Sequence, residues 1–288
     1  MNQPNQATRL EGKLGLTFEA QQNRTVLHVR EQTPPLKVIR AFDVNGMALV
    51  HLHNVSGGVL SGDLLKLDVM AEAGSRVQLT TTSATRLYRS RPDFQAAQQI
   101  TTLHVGANAL LEYVPDPLIP FAGTRYEQHT TIDLAEGAGL FWWEVVAPGR
   151  TARGELFNYE SLKFKTQITA HHDRLMALEQ SHLCPQTRPL SSLTHLGSYR
   201  YFATFYVCKV GLEPSRWLAL EAELNDLALQ LTRRNEVVWG VSTLTAHGVV
   251  IRALAYNGRD ITAGLLDFWR MAKLALYGQT PILPRKVY

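Results

Sequence analysis

Val59-Leu-Ser-Gly-Asp63, Leu79-Thr-Thr-Thr-Ser-Ala-Thr-Arg-Leu-Tyr-Arg-Ser90, Leu111-Glu-Tyr-Val-Pro-Asp-Pro117, Trp142-Trp-Glu-Val-Val-Ala-Pro-Gly-Arg150 and Gly154-Glu-Leu-Phe157 follow one another along the stretch that decides the fold. Within it a strand-like run leads three times through a small-residue turn into a second run. Leu65–Val69 passes Ala73-Gly74 to Val77–Thr81, and Ile100–Val105 passes Gly106-Ala107-Asn108 to Ala109–Val114. Thr130–Leu134 passes Glu136-Gly137-Ala138-Gly139 to Leu140–Val146. Short apolar runs broken by glycine-containing turns predict β-hairpins. The expected class is therefore mainly β, a ladder of hairpins arranged as a β-helix-like body or as stacked sheets.

Outward from this ladder the pattern continues. Gly15–Ala20 and Thr25–Glu31 alternate as paired strands, and Pro34-Pro35 ends the second because proline lacks the ladder amide. Leu36–Phe42 and Met47–His53 predict two more, as do Leu162–Thr169 and Leu175–Ser181, and Tyr199–Lys209 reads as an aromatic strand. Helices are expected near 214–233, opened by Pro214, and at 261–277, with Asp260 as N-cap and Gly278 and Pro281 at the end. Val237–Ala246 and Gly248–Tyr256 make a strand pair between them. Residues 1–12 read as a loose tail, and no linker divides 1–288 into separate domains.

With 288 residues, 45% hydrophobic and 19% charged, the chain can bury a full core. A net charge of +4 without a long Lys/Arg run argues against nucleic-acid binding. Two cysteines make no disulfide framework. No apolar run approaches the roughly 20 residues that span a bilayer, and the N-terminus has no apolar signal core, so a cytoplasmic protein without membrane contact is expected.

The candidate chemistry is sparse. His51 and His53 share a strand face, but no third ligand is close in sequence, and partly exposed strand histidines give the same pattern. His182-Leu183-Cys184 is a weak two-ligand fragment. The Gly57–Asp63 turn lacks the Gly-Lys-Ser/Thr ending of a phosphate loop and places Asp63 at a strand start. The hydroxyl run Thr80–Thr85 lies either on an exposed strand or along an internal polar space. Glu112 and Glu144 each sit among large apolar residues, as Glu179 does in its own strand, and a buried carboxylate must be paired, protonated or cation-bound. Salt bridges to Arg125, Arg150, Arg153 or Arg174 are the structural alternative. One functional reading makes Glu112 and Glu144 the acid–base pair of a glycoside hydrolase on a β scaffold. The other is a scaffold or metal-handling protein acting through partners, with no catalytic residues.

A resemblance favours the second. Gly57-Gly-Val-Leu-Ser-Gly-Asp63 resembles the pattern Gly-Gly-x-x-Gly-Gly-Asp, and Ala84-Thr-Arg-Leu-Tyr-Arg-Ser90 resembles Ala-Thr/Ser-Lys-x-Tyr-Arg-Ser. Leu111-Glu-Tyr-Val-Pro115 is similar to Leu-Glu-Trp-Leu-Pro. Trp143-Glu144, Gly149-Arg150, Gly154-Glu-Leu-Phe157 and Pro284-Arg285 complete the series. In order and over nearly the whole chain, these resemble the urease accessory protein UreD family, called UreH in some organisms. Ser61, Arg86 and Tyr113 depart from the usual Gly, Lys and Trp. The resemblance implies a mainly β cytoplasmic scaffold, not an enzyme. Its implied partners are apo-urease, UreF and, through UreF, UreG, with room for a dimer within the accessory complex. It implies no tightly bound cofactor but transient Ni²⁺ in an internal channel, with Asp63, Glu144, Glu179 and the Thr85 hydroxyl as candidate lining. For partner contacts, the aromatic strand from Tyr199, the off-stripe Trp269, and Pro284 and Arg285 of the tail are expected at the surface.

Overall fold

Each of the three small-residue turns carries the chain from one sheet into another, so the paired runs form arches, not hairpins. The structure, a computed structural model, describes residues 10–284 apart from 193. In chain order the strands begin β1 (Glu11–Gln21), β2 (Arg24–Thr33), β3 (Leu36–Lys37), β4 (Ala41–Val44), β5 (Met47–Asn54) and β6 (Leu64–Ala71). They continue as β7 (Arg76–Thr81), β8 (Thr85–Leu87), β9 (Ala97–Val105), β10 (Leu110–Tyr113), β11 (Leu118–Pro120) and β12 (Arg125–Leu134). The remainder are β13 (Gly139–Val146), β14 (Ser161–Ala170), β15 (Arg174–Leu183), β16 (Tyr201–Lys209), β17 (Val237–Thr243) and β18 (Gly248–Ala255), with helices α1 (Pro214–Leu231) and α2 (Gly258–Tyr277).

The first sheet runs β15-β14-β12-β9-β6-β1-β2, and the main path of the second runs β17-β18-β16-β13-β10-β7-β5-β3. Strands β1, β6, β9, β12 and β14 are mutually parallel, as are β5, β7, β10 and β13. Each arch therefore contributes one strand to each sheet, and successive arches stack. Their turns bond to one another: Gly106 N–H donates to Ala71 O at 2.7 Å, Gly74 N–H to Ala107 O at 2.9 Å, and Asn108 N–H to Glu136 O at 3.0 Å. A Cβ on Gly106 would lie 2.8 Å from Ala73 N, so the close stacking of turns requires glycine there. A hairpin and an arch share one local signature. The choice is made by the second apolar face, since inward residues such as Val69, Leu79, Leu103, Leu111, Ile132 and Leu140 join a single core between the sheets.

The outer face of the second sheet is covered by α1 and α2, whose Trp217, Leu220, Phe268 and Trp269 pack on Phe141, Trp143 and Phe205. Trp269 is fully buried, edge-on to Trp143 at 5.6 Å, so the expectation of a surface position fails. The reason is the width of the buried arc: Ile261, Leu265, Trp269 and Lys273 form one ridge and Gly264, Phe268 and Ala272 the next. Phe205 is likewise enclosed, so the aromatic strand, which starts at Tyr201, is a central core strand and no surface patch.

Other boundaries shift. Glu11 and Gly12 belong to β1 through pairing with Leu64 and Leu65, which shortens the expected tail; residues 1–9 lie outside the described residues. Leu36–Phe42 divides into β3 and β4 because Val38 turns into the core, with its N–H donated to the Gln32 side chain at 2.8 Å. Helix α2 starts at Gly258 with Asn257 in the N-cap position, without a side-chain capping bond, and Asp260 sits in its first turn, where Arg233 donates to it at 2.6 Å.

Beneath α2 lies an ion pair absent from the sequence reading. Lys273, 2% exposed, donates to Glu112, 0% exposed, across the interface between helix and sheet. Removing one partner strands a charge in an apolar layer. Lys273→Met alone should cost about 3–5 kcal/mol in urea denaturation. The double replacement Glu112→Leu with Lys273→Met should recover most of that loss; additive losses would show that the two charges are not coupled.

Candidate functional site

The two-residue period of the strands places polar groups inside the sandwich. Reading across the first sheet in register, Thr101 lies beside Thr130, Thr130 beside Thr166, and Thr166 beside Glu179. Across the second sheet, Glu144 lies beside Thr204 and Thr204 beside Arg252. These two rows face one another. The gap between them holds a cavity of about 160 Å³ bordered by Thr85, Thr101, Gln128, Thr130, Trp142 and Glu144. A smaller space of about 30 Å³ follows, bordered by Trp142, Glu144, Thr166, Glu179, Thr204 and Tyr206. Trp142 and Glu144 belong to both and stand where they meet. The smaller space has room for water and offers it several oxygen partners.

The carboxylates are held by neighbours of different kinds. Tyr126 Oη donates to Gln128 Oε1 at 2.9 Å, which turns the Gln128 amide to donate to Glu144. Burial pushes the Glu144 carboxyl up to about 7; the Gln128 hydrogen bond opposes this and the charge of Glu179 adds to it. Glu179 Oε2 accepts from Tyr206 Oη at 2.6 Å and from Arg252 Nη2 at 2.9 Å. Burial and the Glu179 carboxylate together drive the Tyr206 phenol far above its ordinary value, so it remains a donor.

The structure thus brings Thr85, Glu144 and Glu179 to one continuous gap. Asp63 is elsewhere: 3% exposed, it accepts the Leu60 N–H at 2.8 Å and closes the turn ahead of β6, its carboxyl raised by burial. Of the hydroxyl run, Thr81–Thr85 border the mouth of the larger cavity, which is the internal polar space, while Thr80 donates to Val114 O at 2.8 Å. Glu112 projects from the opposite face of the second sheet, toward α2, because it and Glu144 fall on opposite pleats. The two cannot flank one substrate, and the acid–base reading is overturned.

The expected arginine partners are also corrected. Arg150 pairs with Glu155, Arg125 donates to the Arg91 and Phe94 carbonyls, and Arg252 takes Glu179. His53 borders the larger cavity, its pKa lowered by burial, while His51 meets the Phe42 ring edge-on at 6.0 Å. Among the described residues no three His, Cys, Asp or Glu side chains converge as a metal cage. Tyr199 is half-buried in the turn before β16. Pro284 borders a separate apolar space of about 280 Å³ against Leu265 and Trp269, and Arg285 lies outside the described residues.

Sequence reading missed Gln128, Thr130, Thr166, Thr204, Tyr206 and Arg252. The available signal was polar residues on the pleat that carries the core, as in Gln128-x-Thr130-x-Ile132-x-Leu134, and it has meaning only once both sheets are known to face each other. The motif blocks around Gly57–Val59, Ala84–Arg86, Tyr113–Pro115 and Trp143-Glu144 all border the larger cavity. A Cβ on Gly58 would strike Arg86 O at 2.5 Å, so glycine admits the second motif block, while Arg150 stacks on Phe121 at 4.1 Å and holds Glu155.

Comparison with known proteins gives the family. Residues 10–288 match the family described as UreD urease accessory protein. The chain is 50% identical over 286 residues to the urease accessory protein UreD of Herpetosiphon aurantiacus, covering 98% of this chain and 99% of that one. It is 37% identical over 277 residues to the protein of that name from Deinococcus radiodurans, covering 96% and 94%. With the Lysinibacillus sphaericus protein it shares 31% over 253 residues, covering 87% and 91%.

The raised Glu144 carboxyl has a consequence for stability. The folded chain keeps a proton that the unfolded chain releases between pH 4.5 and about 7, so this contribution is full below that window and is lost as pH rises through it. Glu144→Gln keeps the neutral shape. Between pH 5 and pH 8 the variant should gain up to ~3 kcal/mol relative to the unchanged chain in parallel urea titrations. A constant difference across that range would mean that Glu144 is already ionised at pH 5.

Proposed function

The chain belongs to the UreD urease accessory protein family, and from that premise we propose that it passes Ni²⁺ through the gap between its two sheets while holding apo-urease and the other accessory proteins together. A role in urease maturation, as an accessory protein and not as a catalytic enzyme, comes with the family. The route, the metal and the individual partners are the proposal.

The observation that carries the route is the pair of facing rows, Thr101–Thr130–Thr166–Glu179 and Glu144–Thr204, with Glu144 at the junction of two cavities. Hydroxyl, amide and carboxylate oxygens hold Ni²⁺ more loosely than imidazole or thiolate cages do, which suits a cargo that must leave. A carboxyl near neutrality adds a further property. Glu144 gives up its proton as a dication arrives and recovers it when the ion departs, so no bare charge waits in the gap between ions. The Gln128 amide orients Glu144 without adding a charge that would repel the ion.

The partners in this reading are apo-urease, UreF and, through UreF, UreG, in the cytoplasm. No helix among the described residues is long and apolar enough to cross a membrane. With Trp269 and Phe205 in the core, contacts are to be sought at exposed apolar residues such as Ile39, Leu218 and Leu229.

The test is nickel loading of urease co-expressed with its accessory proteins. Glu144→Ala combined with Glu179→Ala should lower bound nickel and urease activity about tenfold or more, the scale of one lost charged contact, with the complex with UreF still recovered. Normal loading with an intact complex would remove both residues from the route. Loss of the complex would assign them a structural role.

A further inference from the structure

The polar row of the second sheet does not end at Thr204. The next residue in register is Arg252 of β18, and beyond it lies Gly240 of β17. The side chains here reach toward solvent: Glu179, which borders the smaller cavity, is 35% exposed, and Arg252 beside it 58% exposed. Glu179 is the last carboxylate before the outside, and its Oε2 already carries two donors, Tyr206 Oη and Arg252 Nη2. With both lone pairs of Oε2 so occupied, Glu179 offers a cation only its other oxygen, beside the guanidinium charge.

The two donors differ in freedom. Tyr206 is 2% exposed and stacked on Trp142, with ring centroids 5.6 Å apart and planes within 10°. Arg252 is flanked on one side by a glycine next to which an added Cβ would find nothing within 4 Å. Freeing that position on Oε2 therefore takes displacement of the Arg252 side chain.

We propose that Arg252 is a charge latch at the Glu179 end of the inter-sheet gap: it holds one oxygen of Glu179 and repels a dication until it swings toward Gly240 and leaves the whole carboxylate to the ion. The latch rests on the passage reading above. It also makes the two ends of the gap unlike, with a neutral amide donor on Glu144 and a fixed positive charge beside Glu179.

The experiment is competition between the full-length chain and a chelator for Ni²⁺ alone, with melting temperatures recorded as a control on folding. Arg252→Gln should bind Ni²⁺ about tenfold more tightly than the unchanged chain, and adding Glu179→Gln should abolish that gain. Equal affinity of Arg252→Gln and the unchanged chain, or a gain that persists without Glu179, would overturn the latch while leaving the passage intact. If Glu144→Gln with Glu179→Gln changes neither Ni²⁺ affinity nor loading of urease in either background, the passage itself fails and the latch falls with it.

Discussion

The stacking of arch on arch is the constraint from which the rest follows. Because the turn amides of one arch bond to the turn carbonyls of the next, β6, β9 and β12 must lie in one sheet and β7, β10 and β13 in the other. A chain folded as hairpins would have closed each pair on itself and left one face of each to solvent. The arches instead direct one face of every strand into a shared gap. Where that face is Leu, Val and Ile the gap closes as core; where it is Thr, Gln and Glu the gap stays open as a cavity. One backbone rule thus produces both the stability of one end of the sandwich and the polar space at the other.

Glu112 and Glu144 show how much the pleat decides. Both are carboxylates set among large apolar residues in adjacent parallel strands, and Glu112 lies opposite Phe141 in register, three residues from Glu144. That odd offset sends them to opposite faces. Glu112 meets a lysine from α2 and becomes part of the seam that holds helix to sheet. Glu144 meets only an amide and the cavity, with its carboxyl pushed up by burial. The same residue type is a structural partner on one face and the central group of the proposed route on the other.

The mainly β class, the two late helices and the family were legible in the sequence, because they depend on local period, on caps and on motif blocks. Arches could not be told from hairpins, since the difference lies in which distant strand accepts each hydrogen bond. For the same reason the row Thr101–Thr130–Thr166–Glu179 was invisible: its members are far apart in sequence and adjacent only in register. Asp63 was singled out for its position behind a glycine turn, and that position proves to be a turn closure. Trp269 was misplaced by assuming a narrow helical stripe where α2 buries a wide one.

Nickel-edge anomalous diffraction from crystals of the chain soaked in excess Ni²⁺ would test the inter-sheet route most directly. The account predicts anomalous density in the gap at the Glu144 carboxylate, beside Thr166 and Thr204, where the two cavities meet. Density confined to surface histidines such as His171 and His172, with only water beside Glu144, would contradict it.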